Sequence, residues 1–445
     1  MEAGSADTVL VYTSQITARV SYIFNELLPS AELTDSTGKF ISYPGVKISY
    51  SKEKFCSNTL WIVPHGLLND IGIHEQKINC SEWKGKKVFF ATTGDIPFDI
   101  FAASFYLLSR YEEYLPHELD EYGRYSHTNS IAYENEFLTE PLVNEWMPLL
   151  EVQLRERCSN SKFKIHPANG GTKFKFIPTY DIDEAFSYKH KPLWKNILGF
   201  FRDFLLGKFE EVVERGNVYS GRKPDPFDTF DWIDSLHEKY KLKPIYFFLT
   251  IIKRGEYDKN LLANSKTLKQ LYKRLSVKYA CGLHPSWQSG NEEWLLQKEL
   301  ETLENIVHRP ITISRNHYLR FTVPYTYRRL VAVGIKEDYS MAYGNVNGFR
   351  ASYALPYHWY DLEKENVSDL VIHPFCFMEA TSFFNQGYSV EQATEEIQSY
   401  YDMVKKVNGE FIILFHNHFL TEQPQWTQWR EMYAAFLKKN FGNNK

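Results

Sequence analysis

Apolar residues along this chain fall into two recurring patterns, short unbroken runs that read as buried strands and longer stretches with helical spacing. In the first part, Val9-Leu10-Val11-Tyr12, Leu60 to Val63 and Val88 to Ala91 are strand-like, and Val20, Ile23, Phe24 and Leu27 mark a helix over Ala18 to Leu28. A long helix is predicted from Phe98 to Tyr114, with Asp95 or Asp99 supplying acid at its N-terminus. After Pro167 and Asn169-Gly170-Gly171 the texture changes, and strand-like runs are each followed by a helix-like segment. The strands are expected at Lys173 to Tyr180, Pro244 to Thr250, Tyr279 to Leu283, Ile311 to Ser314, Ile335 to Tyr339, Leu370 to Phe375 and Glu410 to Phe415. Helices are expected at Phe227 to Lys239, Thr267 to Tyr279, Glu292 to Val307, Val390 to Val407 and Trp426 to Lys438.

About seven such alternations imply a parallel sheet, and a (β/α) barrel, seven-stranded and irregular, is the economical closure. The expected organisation is therefore α/β throughout. Residues 1–168 form a smaller mixed α/β accessory domain, and residues 169–445 form the barrel.

A barrel concentrates chemistry at the C-terminal ends of its strands, and the polar residues of this chain collect there. The first strand runs into Thr179-Tyr180-Asp181-Ile182-Asp183, the third into Gly282-Leu283-His284-Pro285-Ser286, the fourth into Arg315-Asn316-His317-Tyr318 and the last into His416-Asn417-His418. Asp181 and Asp183 are two apart, so on an extended strand end they share a side, which suits one base and one metal ligand; capping and turn formation use the same residues. His284 and His373, each before a proline, also fit satisfied structural histidines, and Arg315 also fits a plain salt bridge. His416 and His418 share a strand face. Two carboxylates, several imidazoles and a guanidinium on one rim are the inventory of a metal-assisted hydrolase.

The order of these segments, with Asp338-Tyr339-Ser340-Met341 between them and Leu414-Phe415-His416 at the end, resembles the motif series of the polysaccharide deacetylase family, carbohydrate esterase family four. Residues 98–114 are similar to the signature helix of a bacterial branch that places an N-terminal α/β domain of unassigned role before the barrel. The resemblance implies that Asp181 is the catalytic base, that Asp183 and His284 bind a divalent metal, usually zinc, and that His416 is the general acid. Arg315 would orient the base. The family's metal motif is His-x-x-x-His, and here its second position is Gln288, a poor zinc ligand. The arginine motif carries His317 where the family has proline, which offers a displaced third ligand.

The implied activity is hydrolysis of the amide or ester of an acetylated sugar or polysaccharide. Two alternatives stay open, a glycan-binding or scaffolding module that has lost the metal and a hydrolase of a non-sugar C–N bond. Trp287, Tyr318, Tyr343 and Trp359 are candidates to stack a sugar ring, in a chain whose aromatic content is 16%. A net charge of -4 disfavours nonspecific nucleic-acid binding. Five cysteines without a C-x-x-C pair fit a reducing compartment, and the acidic start Met1 to Asp7 shows no signal-peptide n-region, so a cytoplasmic protein is expected. The apolar run from Ile100 to Leu108 is too short to span a bilayer, so no membrane insertion is expected.

Overall fold

The computed structural model describes residues 8–158, 164–165, 173–191 and 193–442. The Pro167 to Gly171 linker and the Met1 to Asp7 start lie outside them. The chain divides into two compact units. The first contains residues 1–176, 321–376 and 400–411, and the second residues 177–320, 377–399 and 412–445. The chain passes from the first unit to the second after residue 176 and returns to the first for residues 321–376 and 400–411.

In the first unit, Ala31–Thr34, Val9–Thr13, Val46–Tyr50 and Leu60–Ile62 make a parallel sheet in that order. All five residues of Val9–Thr13 and of Val46–Tyr50 are buried, as strands covered on both faces require. The adjoining helix Ala18–Leu27 is capped by the Thr17 hydroxyl, which accepts from the Val20 amide. A second group pairs Tyr357–Asp361 antiparallel with Asn366–Ile372, which in turn runs parallel to Glu337–Asp338. The helix expected over residues 98–114 is shorter, Ile100–Leu108, capped by Asp99. Arg110 adopts a left-handed backbone (φ 54°) and starts a separate helical turn, Tyr111–Tyr114. Its buried guanidinium pairs with Glu112 and Glu113, each at 2.7 Å, and Glu113 also pairs with Arg350 at 2.7 Å. The strand expected at Val88 to Ala91 is displaced to Lys86–Val88, where it pairs with Ser81–Trp83.

The second unit carries strands in the order Ile313–Ser314, Ala280–His284, Ile245–Leu249, Lys175–Ile182, Glu410–His416 and Phe377–Met378, the first two residues of Lys175–Ile182 and of Glu410–His416 counting with the other unit. The first four pair in parallel with their neighbours, as successive βαβ units do. Helices Phe230–Tyr240, Lys266–Lys278 and Glu293–Val307 fall close to their expected places. The closed barrel does not form. The strand order is open, with no pairing among the described residues that joins its two ends. No helix among the described residues is long and apolar enough to cross a membrane. Among the described residues, Cys56, Cys80, Cys281 and Cys376 form no disulfide.

Candidate metal centre and acid–base pair

Parallel pairing sets Asp181 opposite Phe247 and Leu249 opposite His284, while Ser314 pairs with Leu283. The strand ends therefore carry Asp181, Asp183, His284, Arg315, His317 and His416 onto one edge of the second unit's sheet. Gly282 lies beneath them. A Cβ there would sit 2.8 Å from both the Phe247 ring and the carbonyl oxygen of Ile313, so a side chain would displace the ring. That ring supports the Arg315 guanidinium, whose carbon is 4.3 Å from its centroid. Arg315 Nη1 donates to Asp181 Oδ1 at 3.0 Å and to Thr179 Oγ1 at 2.7 Å, which fixes the carboxylate of a buried residue.

Asp183, His284 and His317 bring one ligand atom each to within 4.8 Å of one another. The hydrogen bonds on the far side of each ring decide what faces Asp183. His284 Nδ1 is 2.5 Å from the Arg315 carbonyl oxygen, which can only accept, so Nδ1 carries the proton. His317 Nδ1 is 2.9 Å from Asp258 Oδ1, with the same consequence. In the neutral rings both Nε2 lone pairs then point at the Asp183 carboxylate, at 3.1 and 3.4 Å. Two lone pairs aimed at an anion repel it unless a proton or a cation lies between. Nitrogen, nitrogen and oxygen donors, with the rings fixed by a carbonyl and a carboxylate behind them, fit a divalent ion of the zinc type. Without one, His317 takes a proton. Burial lowers the pKa of His317, but the charges of Asp183 and Asp258 outweigh it and push the ring up to about 9. Asp183 is driven well below the usual carboxylate range, because His317 and His416 overcome the opposing effect of burial.

His416 Nε2 is 3.3 Å from Asp183 Oδ2, and its Nδ1 donates to Glu379 Oε1 at 2.7 Å. The same carboxylate oxygen accepts the His416 amide at 2.6 Å. Burial works against the imidazolium, yet Glu379 and Asp183 raise its pKa well above the ordinary value. His418, whose ring lies 5.3 Å from that of His416, is held down to about 3 by burial and stays neutral.

Trp287 and Tyr318 lie beside this centre. Tyr257 bridges them, 4.7 Å from the Trp287 ring and 5.4 Å from that of Tyr318, and Tyr318 is 4.7 Å from His317. Tyr343 and Trp359 are not brought here. Both are buried in the first unit, Tyr343 against Arg110 and Arg350, and Trp359 against Tyr327. His373 is likewise structural there, stacked on Tyr339 and paired with Glu337. Gln288 points its amide at Asp258 Oδ2 (3.4 Å) and the Lys253 carbonyl (3.1 Å) and is not one of the clustered ligand residues.

Sequence reasoning missed Asp258 and Glu379. Asp258 stands in a charged loop, Lys253 to Lys259, where nothing in the pattern separates it from solvated neighbours. Glu379 did carry a signal, a lone acid directly after the apolar run Phe375 to Met378.

Residues 9–159 match a family of unknown function, DUF7033. No curated protein matches the chain. Among solved structures, the polysaccharide deacetylase Bc1974 from Bacillus cereus is similar at 12% identity and a TM-score of 0.30, over 60% of this chain and 87% of that one. A Mycobacterium smegmatis protein assigned as a polysaccharide deacetylase is similar at 12% identity and a TM-score of 0.37, over 61% and 86%. A third, from Pseudomonas aeruginosa and assigned in the same way, gives 11% identity and a TM-score of 0.37, over 61% and 85%. These likenesses are too distant to assign chemistry, which rests on the geometry of the site.

Proposed function

We propose that the chain is a metal-dependent hydrolase that releases acetate from an N- or O-acetylated sugar or polysaccharide. The observation that carries this reading is the pair of Nε2 atoms turned toward Asp183 beside an Asp181 carboxylate fixed by Arg315. Asp183, His284 and His317 would hold the ion, with the histidine of the arginine motif replacing the ligand missing at Gln288. When bound, such an ion polarises the acetyl carbonyl and lowers the pKa of water toward neutrality.

The remaining work falls to side chains of this chain. Asp181, held by Arg315 through Oδ1, accepts the proton of the attacking water. His416, charged at neutral pH because Glu379 and Asp183 face it, delivers a proton from Nε2 to the departing amine or alkoxide. Trp287, Tyr257 and Tyr318 offer flat faces on which a pyranose ring can rest. Both acid and base are buried among protein groups, which keeps their proton transfers from being short-circuited by bulk water.

The test combines metal content by plasma emission with acetate release from a panel of acetylated sugars. Asp183→Asn is expected to lose metal and turnover together. Asp181→Asn is expected to keep its metal while kcat drops on the order of 10²–10⁴-fold, the span of general acid–base catalysis. Full turnover by Asp181→Asn, on a substrate the wild type deacetylates, would overturn the mechanism.

A further inference from the structure

The second unit contains a helical hairpin that plays no part in the site. Helix Leu193–Leu205 and helix Phe209–Tyr219 are joined by a turn at Gly207, whose φ of 69° admits the reversal. Their burial is inverted relative to ordinary core helices. The inner stripe of the first helix is Asn196, Gly199 and Asp203, at helical spacing, and it faces Arg215 of the second. Arg215 Nη1 donates to Asn196 Oδ1 at 2.9 Å and Nη2 to Asp203 Oδ2 at 2.6 Å. A Cβ at position 199 would meet the guanidinium at 2.8 Å, so glycine permits the close approach. The polar groups thus satisfy one another inside the hairpin.

The apolar residues consequently point outward. Trp194, Ile197, Leu198, Phe201, Phe204 and Leu205 form an exposed stripe on the first helix, and Leu206, Phe209 and Val213 continue it across the turn. Leu205 is 81% exposed and Leu206 63% exposed. A contiguous patch of this kind marks a surface meant to be covered. Its charge says by what. The hairpin's own residues 193–219 balance at four Lys or Arg and four Asp or Glu, and Lys189, Lys191, Arg222 and Lys223 at its base bring residues 189–223 to a net charge of +4 on a chain whose total is -4. Arg202 and Lys208 are exposed at the margin of the stripe. Trp, Phe and Leu on one face with a cationic margin is the composition of helices that lie in the plane of a bilayer interface, and it complements anionic headgroups. Lengths of 13 and 11 residues exclude spanning and suit lying flat.

We propose that the hairpin Leu193 to Tyr219 seats the protein on an anionic lipid surface, with its apolar stripe in the headgroup–acyl boundary. The experiment is co-sedimentation of the full chain with vesicles of phosphatidylcholine alone and of phosphatidylcholine mixed with phosphatidylglycerol. Sedimentation velocity without lipid accompanies it. The wild type is expected to pellet with the anionic vesicles, less so with neutral ones, and less as salt rises. Leu198→Ser/Phe201→Ser/Leu205→Ser should weaken binding about 10-fold or more, with its unfolding midpoint unchanged because these side chains are exposed. A second variant, Lys208→Glu/Arg222→Glu, keeps the stripe and should lose only the preference for anionic vesicles. Failure of the wild type to pellet with either vesicle overturns the proposal. A wild-type dimer that the triple serine variant splits, again without lipid binding, assigns the face to a second copy and overturns it equally. Equal binding to both vesicle types overturns the anionic part.

Discussion

Replacing Asp258 by asparagine tests whether His317 is a metal ligand. The carboxylate receives His317 Nδ1–H at 2.9 Å, the Trp287 amide at 2.9 Å and the Gln288 amide at 3.4 Å, so its position and charge are both fixed. Asparagine keeps the size and one acceptor oxygen but removes the charge that makes His317 a stronger donor. Loss of such a partner behind a ligating histidine costs about 10–100-fold in affinity, or about 1.4–2.7 kcal/mol. Protons complicate this in a predictable direction. In the metal-free protein the wild-type His317 is pushed up to about 9, so at pH 7 the ion must displace a proton at a cost of about two decades. Asp258→Asn removes one of the two charges that raise that pKa, and it therefore relieves part of the proton competition. The variant should bind zinc more weakly at pH 9, where the competition has fallen to about a factor of two, and the deficit should shrink toward pH 7. Chelator competition at the two pH values reads both numbers. A variant whose affinity equals that of the wild type at pH 9 would refute the assignment of His317, and a deficit larger at pH 7 than at pH 9 would refute the proton argument.

Glu379→Gln removes the main charge sustaining the His416 imidazolium, so the pKa of His416 should fall and the basic limb of the kcat/KM profile should move to lower pH; an unmoved limb would separate Glu379 from the acid. His237, whose Nε2 lies 2.8 Å from the Tyr180 hydroxyl, is held down to about 3 by burial. Below pH 6.5 the unfolded chain binds a proton there that the folded chain refuses, so stability is lost as pH falls, by about 2 kcal/mol at pH 5. Urea unfolding at pH 7 and pH 5, compared between the wild type and His237→Asn, should show the wild type losing about 2 kcal/mol more than the variant over that interval. Glu113→Gln in the first unit leaves the buried guanidiniums of Arg110 and Arg350 short of a partner, and the loss should be about 3–5 kcal/mol in denaturant unfolding, well above the 1 kcal/mol or so of a surface pair.

The sequence by itself determined the local elements and the chemistry-bearing strand ends. Ala18–Leu27, Ile245–Leu249, Glu293–Val307 and Glu410–His416 are legible because helical and extended periodicity are properties of a few consecutive residues. Asp181, Asp183, His284, Arg315, His317 and His416 could be singled out because parallel strands all deliver their C-terminal residues to one edge of the sheet. Tertiary structure decided the rest. The helix over residues 98–114 breaks at Arg110 because that guanidinium finds Glu113 and the Arg350 carbonyl, partners whose approach no local pattern encodes. Tyr343 and Trp359 read as rim aromatics, yet their stretch of chain folds back into the first unit and buries them. Asp258 and Glu379 gain their roles only from the imidazoles they face. The helices of the hairpin from Leu193 to Tyr219 are not among those expected from the sequence, and the side they turn inward is set by Arg215 meeting Asn196 and Asp203. Periodicity measures how a segment is divided into faces; the choice of face to bury belongs to whatever distant residues arrive against it.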